Sequence, residues 1–396
     1  ETLAACGTAP LCIIGTHPQA VLDLAHEKMH TFPYHAVPIH WRRLYEDASC
    51  YSAITILQSK PDVFANVVRV LDYALIISGG PARRSLIEST LQRLYSIKPK
   101  PAEPPTPRFL PCHPPDTFET THEIRRATHT LDVAEFQDHL DASLAPIIIP
   151  GAIDHWPAMT RWSDNKYLLD STLDGRRMVP IEIGSSYTDD GWSQKIIPFA
   201  EFVEEYLNPT SPSDVGYLAQ HDLFTQIPTL RGDILVPDYC YATPPPQADR
   251  KVAERISGES HEFEAPLMNA WLGPKGTKTP LHTDPYHNVL CQVVGFKYVR
   301  LYAPDQTPYL YPREAEESGV SMENTSSIDL FYLRPDFEGQ TERAAQAREM
   351  YTQYPLCHNA TYQEAILGPG ESLYIPLGWW HYLESLTPSF SVSFWW

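Results

Sequence analysis

Two different hydrophobic patterns divide the chain. From residue 17 to residue 96, apolar side chains recur every three or four positions, which is the period of an amphipathic helix. Four segments carry this pattern: HPQAVLDLAHEKMH, HWRRLYEDASCYSAITILQ, PDVFANVVRVLDYALIISGGP and RRSLIESTLQRLYSI. The third has Pro61 near its start and ends at Gly79-Gly80-Pro81, which are typical helix boundaries. The pattern predicts an all-α N-terminal domain over residues 1–97, with no evident repeat period and a scaffolding or partner-docking role.

Short apolar or alternating runs, bounded by Gly, Pro and Asp, dominate the chain beyond residue 118. They include APIIIPG, MVPIEIG, VGYLAQ, NVLCQVVG, KYVRLYAP, ESLYIPL and SFSVSFWW. Such runs predict an all-β sandwich or barrel over residues 119–396. Helical patterns flank these strands in DVAEFQDHLDAS, FAEFVEEYL and ERAAQAREMYTQY, and residues 313–360 are predicted to be an insertion.

A proline-rich segment separates the two patterns. Eight prolines fall between Pro99 and Pro115. Because proline neither continues a helix nor joins a central strand, this composition predicts a stiff, extended linker over residues 98–118.

Composition narrows the class of protein. The net charge of −19 argues against nucleic-acid binding, which needs a basic surface, and favours a basic partner. The seven cysteines are widely spaced and form no C-x-x-C motif, which predicts a reducing compartment, nuclear and/or cytoplasmic. No apolar run approaches the ~18 residues of a membrane span, so we expect no membrane partner.

Candidate chemistry lies in PLHTDPYHNVLCQVVGFKYVRLYAP, residues 280–304. Side chains two apart on an extended segment share one face, so His282 and Asp284 can point together. His381, in GESLYIPLGWWHYLESL, would complete a 2-His-1-carboxylate triad, which suits Fe(II) and leaves coordination positions open. His287 has the opposite strand parity and ranks below His381. With sixteen histidines in the chain, an H-x-D pair alone arises easily by chance.

The same stretch predicts a buried lysine. Gly295-Phe296 fits a two-residue hairpin turn, which would pair Val294 with Lys297 and turn Lys297 inward. A buried lysine needs an anionic partner, and a small dicarboxylate fits between Lys297, Asn288 and the metal. The alternative is an exposed hairpin lysine.

At this point the motifs resemble a known family. Together with IDHWPA, VPIEIGSSYTDDGWSQ, VGYLAQHDLFTQIPTL, VPDYC, NAWLGPKGTKTPLHTDP and SFSVSFWW, the stretch resembles JmjC-domain oxygenases that depend on Fe(II) and 2-oxoglutarate. The resemblance covers about residues 120–396 and is greatest to the arginyl C3-hydroxylase group, which also carries a lysine-demethylase label. It implies a mainly β fold, a double-stranded β-helix (a JmjC or cupin-like jelly roll) with flanking helices, over residues 119–396.

The resemblance also implies roles for single residues. The iron ligands would be His282, Asp284 and His381; the 2-oxoglutarate contacts would be Tyr217, Gln220, Thr279, Asn288 and Lys297; the substrate pocket would contain Glu182, Trp192 and Trp271. Without it, the tryptophans and Tyr217 are ordinary packing residues, and Glu182 fits the solvated face of an edge strand. Two departures from the family are the long 313–360 stretch and the Trp379-Trp380 pair, which bears on the pocket wall.

The implied activity is hydroxylation of a protein side chain, arginine in the first instance, with O₂ and 2-oxoglutarate as cosubstrates. The partner would then be a basic protein or peptide. Demethylation of N-methyl-lysine is an alternative within the same chemistry. A non-catalytic cupin-like scaffold that binds partners through its helices is an alternative of another class.

Overall fold

The computed structural model describes residues 2–59, 64–97, 114, 119–184, 191–207, 214–246, 265–314, 322–334 and 341–396. The chain divides into two compact units. One comprises Glu1–Thr106, Leu168–Pro180 and Ile196–Phe202; the other comprises Pro107–Tyr167, Ile181–Lys195 and Val203–Trp396. The first unit thus includes two segments that the sequence assigns to residues 119–396. Apart from Pro114, the predicted linker lies outside the described residues, so the predicted domain boundaries stay a prediction.

Helices build the first unit, as the apolar spacing predicts. They are α1 (Thr8–Ile13), α2 (Pro18–Met29), α3 (Ile39–Ser59), α4 (Phe64–Ser78) and α5 (Arg84–Ile97). The apolar face of α2 packs on α3 through Val21, Ala25 and Leu44. A second cluster joins α4 and α5 through residues such as Leu71 and Leu91. The predicted helix start at Pro61 lies outside the described residues.

A buried ion pair ties α4 to the segment before the second strand of the chain. Asp72 is fully buried, and Arg177 donates to it from Nη2 at 2.7 Å and from Nε at 2.9 Å. The backbone N–H of Met178 also donates to the Asp72 carboxylate at 2.9 Å. Three N–H groups from two residues thus satisfy this carboxylate away from water.

Strands dominate the second unit, although the second strand along the chain begins in the first unit and the third ends there. They are β1 (Ile147–Ile149), β2 (Met178–Ile183), β3 (Ser193–Pro198), β4 (Gly216–His221), β5 (Leu267–Gly273), β6 (Lys278–His282), β7 (Asn288–Val294), β8 (Lys297–Tyr302), β9 (Gln363–Leu367), β10 (Ser372–Ile375), β11 (Trp380–Ser385) and β12 (Ser389–Trp395). One sheet has the order β1-β10-β7-β12-β5-β4-β2-β3 and the other the order β6-β11-β8-β9. Antiparallel pairing and a shared apolar core that includes Ile148, Val299 and Leu373 confirm the predicted mainly β jelly roll.

The remaining helices are α6 (Val133–Ala142), α7 (Ala158–Arg161), α8 (Asn165–Ser171), α9 (Phe199–Phe202), α10 (Leu223–Gln226), α11 (Pro228–Arg231) and α12 (Thr341–Gln353). The predicted helices in DVAEFQDHLDAS, FAEFVEEYL and ERAAQAREMYTQY correspond to α6, α9 and α12. No helix in the described part of the chain is both long and apolar enough to cross a bilayer.

The predicted hairpin of β7 and β8 is wrong. Strand β7 lies between β10 and β12 in the larger sheet, whereas β8 lies between β11 and β9 in the smaller one. Gly295 links the sheets with φ = 76°, at a point where a Cβ would collide with the Pro388 carbonyl oxygen. Phe296 N–H donates to Thr387 Oγ1 at 2.9 Å, which holds the link in place. Lys297 still faces Asn288 across one cavity, because the two sheets oppose each other.

Candidate metal and cosubstrate site

The three predicted metal ligands come together. His282 ends β6, and the strand register pairs it with His381 in β11, so that the ring centroids are 4.1 Å apart. Asp284, two residues beyond β6, places Oδ1 3.5 Å from His282 Nε2 and Oδ2 3.3 Å from His381 Nε2. Among the described residues, this is the one His/Cys/Asp/Glu group with ligand atoms all within 4.8 Å of one another.

Backbone carbonyls orient both imidazoles. His282 Nδ1 lies 2.8 Å from the Pro280 oxygen, and His381 Nδ1 lies 3.0 Å from the Trp379 oxygen. Because a carbonyl oxygen only accepts, each Nδ1 carries the proton and donates it. Each Nε2 therefore faces Asp284 and, in the neutral imidazole, offers a lone pair there, as histidine does to a metal ion.

The charges in this group are coupled. Burial opposes the carboxylate form of Asp284, but the neighbouring His282 and His381 outweigh burial and hold its pKa well below its usual range. Burial likewise opposes the imidazolium of His282, and the Asp284 carboxylate outweighs it and raises the pKa of His282. The group thus presents an ionised carboxylate and two imidazoles, a donor set that suits Fe(II).

His287 lies outside this group. Its Nδ1 is 2.8 Å from Tyr374 Oη and accepts from Leu377 N–H at 3.3 Å, while its ring stacks on Tyr374. Burial lowers the pKa of His287 to about 4, so the ring is neutral. Its contacts are those of a packed core residue.

A cavity adjoins the three ligands. Its lining includes Tyr217, Trp271, Thr279, Asn288, Leu290, Lys297 and Ser393. Lys297 is 2% exposed, and its Nζ donates to Tyr217 Oη at 3.2 Å. Burial lowers the pKa of Lys297 to about 7, and no anionic group in the described part of the chain offsets this effect. The cavity thus holds an amine that lacks a carboxylate partner.

Asn288 also indicates that the cavity is suited to a polar occupant. Its side chain is 5% exposed, and its Oδ1 has no hydrogen-bond partner among the described residues. A buried, unpaired polar atom costs about 1–3 kcal/mol, so the cavity is suited to a polar occupant. A small dicarboxylate fits this lining: Lys297 and Tyr217 suit one carboxylate, and the end near Asn288 and the three ligands suits the other.

A wider cleft opens over His282 and Asp284. Glu182 lies on its wall, and Trp192 Nε1 donates to Glu182 Oε2 at 3.4 Å. Burial raises the pKa of Glu182, and β2 is not an edge strand, since it lies between β4 and β3. Trp271 borders both cavities, and its Nε1 donates to Ser393 Oγ at 2.9 Å. Trp192 contacts Glu182 but does not line the cleft.

Gln220 does not join the inner cavity. It lies exposed on the wall of the outer cleft, with φ = 46°. Its predicted contact with 2-oxoglutarate therefore stays a prediction, without support from the lining of the inner cavity.

Sequence reasoning missed several lining residues, among them Ser393, Tyr286, Trp395 and Asn324. The serines at every second position of β12 were an available signal for Ser393. Tyr286 stacks on Trp395 with centroids 5.7 Å apart, a contact that no spacing rule predicts. Asn324 lies in the 313–360 stretch, far in sequence from the other residues.

A jelly roll whose strand ends hold two histidines and a carboxylate defines a mononuclear metalloprotein of the cupin type. The chain belongs to the JmjC family of cupin-like proteins, which are oxygenases of the Fe(II)/2-oxoglutarate type. A family model described as a cupin-like domain matches residues 133–396. A second, described as KDM8-like N-terminal ARM repeats, matches residues 15–103. The predicted family is thus confirmed, whereas the apolar spacing, which showed no repeat period, did not predict the match to ARM repeats.

Similar proteins cover nearly the whole chain. Lysine-specific demethylase 8 of Danio rerio is 36% identical over 96% of this chain and 86% of its own length. Lysine-specific demethylase JMJ30 of Arabidopsis thaliana is 33% identical over 96% of this chain and 85% of its own length. Jumonji C domain-containing protein 5 of Drosophila melanogaster is 35% identical over 95% of this chain and 85% of its own length.

Proposed function

We propose that the protein is an Fe(II)- and 2-oxoglutarate-dependent dioxygenase that hydroxylates an arginine side chain of a protein or peptide. The observation that carries this proposal is the half-buried Glu182 carboxylate on the cleft that also contains His282 and Asp284. A basic substrate also suits the net charge of −19. That the protein is located in the nucleus and/or cytoplasm stays a prediction.

Under this proposal, His282, Asp284 and His381 hold the metal through two Nε2 atoms and a carboxylate oxygen. Lys297 and Tyr217 hold the distal carboxylate of 2-oxoglutarate, Asn288 lies toward its other end, and Thr279 lines the same cavity. When bound, Fe(II) with O₂ and 2-oxoglutarate supplies the oxidation of a C–H bond, and 2-oxoglutarate leaves as succinate and CO₂. The residues around it supply orientation and exclude water.

Glu182 would select the substrate. A guanidinium has five N–H donors in a rigid fork, and it loses its water when it enters a cleft. A carboxylate that accepts two of these hydrogen bonds replaces that water and fixes the orientation of the side chain. The indole of Trp271 offers a flat surface on which the guanidinium stacks. One methylene would then face the metal ligands.

The test is Glu182→Gln, which keeps the shape of the side chain and removes its charge. We expect most arginine hydroxylation to be lost, while uncoupled conversion of 2-oxoglutarate to succinate continues. Asp138→Asn, an exposed change on α6 with the same loss of charge, is the matched control. Hydroxylation of arginine peptides by Glu182→Gln at the parent rate would contradict the proposal.

Demethylation of N-methyl-lysine is the second candidate. The names of two of these relatives favour it over arginine hydroxylation. The aromatic walls of the cleft, Trp271, Tyr286 and Trp395, also suit a methylammonium group through cation–π contacts. Mass spectrometry of a peptide library separates the two, since hydroxylation adds about 16 Da to arginine and demethylation removes about 14 Da from methyl-lysine. A protein that converts no 2-oxoglutarate with Fe(II) present would support the scaffold alternative.

A further inference from the structure

Asp284, the carboxylate of the H-x-D pair, lies beyond the end of strand β6. Strand β6 ends at His282, which pairs with His381 in β11. The β6–β11 register includes no partner for Thr283 or Asp284. The ladder that places both histidines therefore ends before Asp284, whose backbone oxygen accepts from Gly378 N–H at 3.4 Å.

Residues 322–334, a segment of the 313–360 stretch, pair with Leu281, His282 and Thr283 on the other side. Thr283 N–H donates to the Asn324 backbone oxygen at 2.9 Å, and Asn324 Nδ2 donates to the Thr283 oxygen at 3.2 Å. The pairing continues along the strand, because Thr325 bridges to His282 and Ser326 N–H donates to Leu281 O at 2.8 Å. Asn324 thus binds both backbone polar groups of Thr283, the residue between His282 and Asp284.

This segment is itself anchored on both sides. Thr325 is 2% exposed, and its Oγ1 donates to Asn324 Oδ1 at 3.3 Å, which orients the amide so that Nδ2 faces Thr283. Ten residues further on, Arg334 forms a 2.5 Å ion pair with Glu384 of β11. The segment therefore contacts both strands that carry the ligands.

We infer that Asn324 is a positioning residue for the proposed metal site, and this inference rests on the proposed function. The Thr283 carbonyl belongs to the peptide that leads into Asp284, so a bond to that oxygen fixes the peptide plane. The plane in turn sets the direction in which the Asp284 carboxylate leaves the backbone. Partners that orient metal ligands in this way contribute about 10- to 100-fold to metal affinity.

The test measures metal binding by the full chain without turnover. Mn(II) is titrated into metal-free protein, and free Mn(II) is followed by electron paramagnetic resonance. Asn324→Ala is expected to raise the Mn(II) Kd about tenfold, with the Tm of the metal-free protein unchanged. Thr325→Val, which keeps the backbone pairing and removes the bond that orients the amide, is expected to give a smaller rise. Glu323→Ala, an exposed neighbour in the same segment, is the matched control.

His282→Ala separates this inference from the proposal on which it rests. If His282→Ala abolishes Mn(II) binding and Asn324→Ala keeps the parent Kd, the inference is wrong and the metal site stands. If His282→Ala binds Mn(II) as the parent does, the proposed site itself is wrong. Asn324→Ala could also lower both the Tm of the metal-free protein and the affinity for Mn(II). That result would assign Asn324 a folding role and overturn the inference. Should Asn324→Ala not fold, an unchanged Kd in Thr325→Val overturns it equally.

Discussion

The buried amine of Lys297 should make cosubstrate binding depend on pH. Burial lowers the pKa of Lys297 to about 7, so in the empty cavity the amine loses its charge as the pH rises above 7. A bound carboxylate favours the ammonium form and raises the pKa again, so binding of 2-oxoglutarate takes up a proton. We therefore expect 2-oxoglutarate to bind more weakly as the pH rises from 6 to 8.

The pKa of Lys297 sets how much 2-oxoglutarate binding weakens as the pH rises. If only the protonated amine binds, the apparent Kd increases by a factor of 1 plus the ratio of neutral to charged Lys297. With a pKa of about 7, this factor is about 1.1 at pH 6 and about 11 at pH 8, a tenfold weakening. A divalent ion at the three ligands adds positive charge beside Lys297, which lowers its pKa further and moves the weakening to lower pH.

Isothermal titration calorimetry on Mn(II)-saturated protein measures this directly. Buffers with different ionisation enthalpies report the proton uptake along with the Kd. Lys297→Met removes a charge-assisted hydrogen bond worth about 1.5–3 kcal/mol, so binding should weaken about 10- to 100-fold and lose its pH dependence. A parent Kd that is constant from pH 6 to pH 8, or a Lys297→Met profile with the parent's slope, refutes the reasoning.

Three further predictions concern other buried groups. His381→Ala should abolish Mn(II) binding in an equilibrium titration, whereas His287→Ala should leave the Kd within about twofold; retained binding in His381→Ala contradicts this. Asn288→Leu removes an unpaired amide oxygen, so it should stabilise the metal-free protein by about 1 kcal/mol and weaken 2-oxoglutarate binding; a lower Tm contradicts it. Asp72→Asn leaves Arg177 buried without its counter-ion and should destabilise the protein by about 3–5 kcal/mol in chemical denaturation; a loss below about 1 kcal/mol contradicts it.

The local spacing of apolar residues predicted most of the N-terminal helices correctly. The three- and four-residue spacing gave α2, α3 and α5 to within one or two residues, because an amphipathic face is set by neighbouring positions. The alternation rule also predicted that His282 and Asp284 point together, and their ligand atoms do meet that of His381, although β6 ends at His282 and Asp284 lies beyond it. In these cases the physical cause lies within a few residues of its effect.

The partner of a strand is not a local property. The Gly295-Phe296 turn satisfies a hairpin rule, yet β7 and β8 lie in opposite sheets, because each finds other neighbours over long sequence distances. Lys297 still faces inward, since opposed sheets bury the same faces that a hairpin would have aligned. Asn324 had no sequence signal for the same reason: its contact with Thr283 joins residues about forty positions apart.

Lys297 also bears on the choice between enzyme and scaffold. Its pKa is depressed from 10.5 to about 7, so the unfolded chain binds more protons than the folded one between these values. The resulting penalty is on the order of 4 kcal/mol at pH 7 and shrinks as the pH rises toward 10.5. An apolar side chain of similar length would avoid this cost in a scaffold with an empty cavity. A ligand carboxylate that restores the charge offsets the same cost on binding, so the unpaired amine favours a protein that binds a small anion beside its metal ligands.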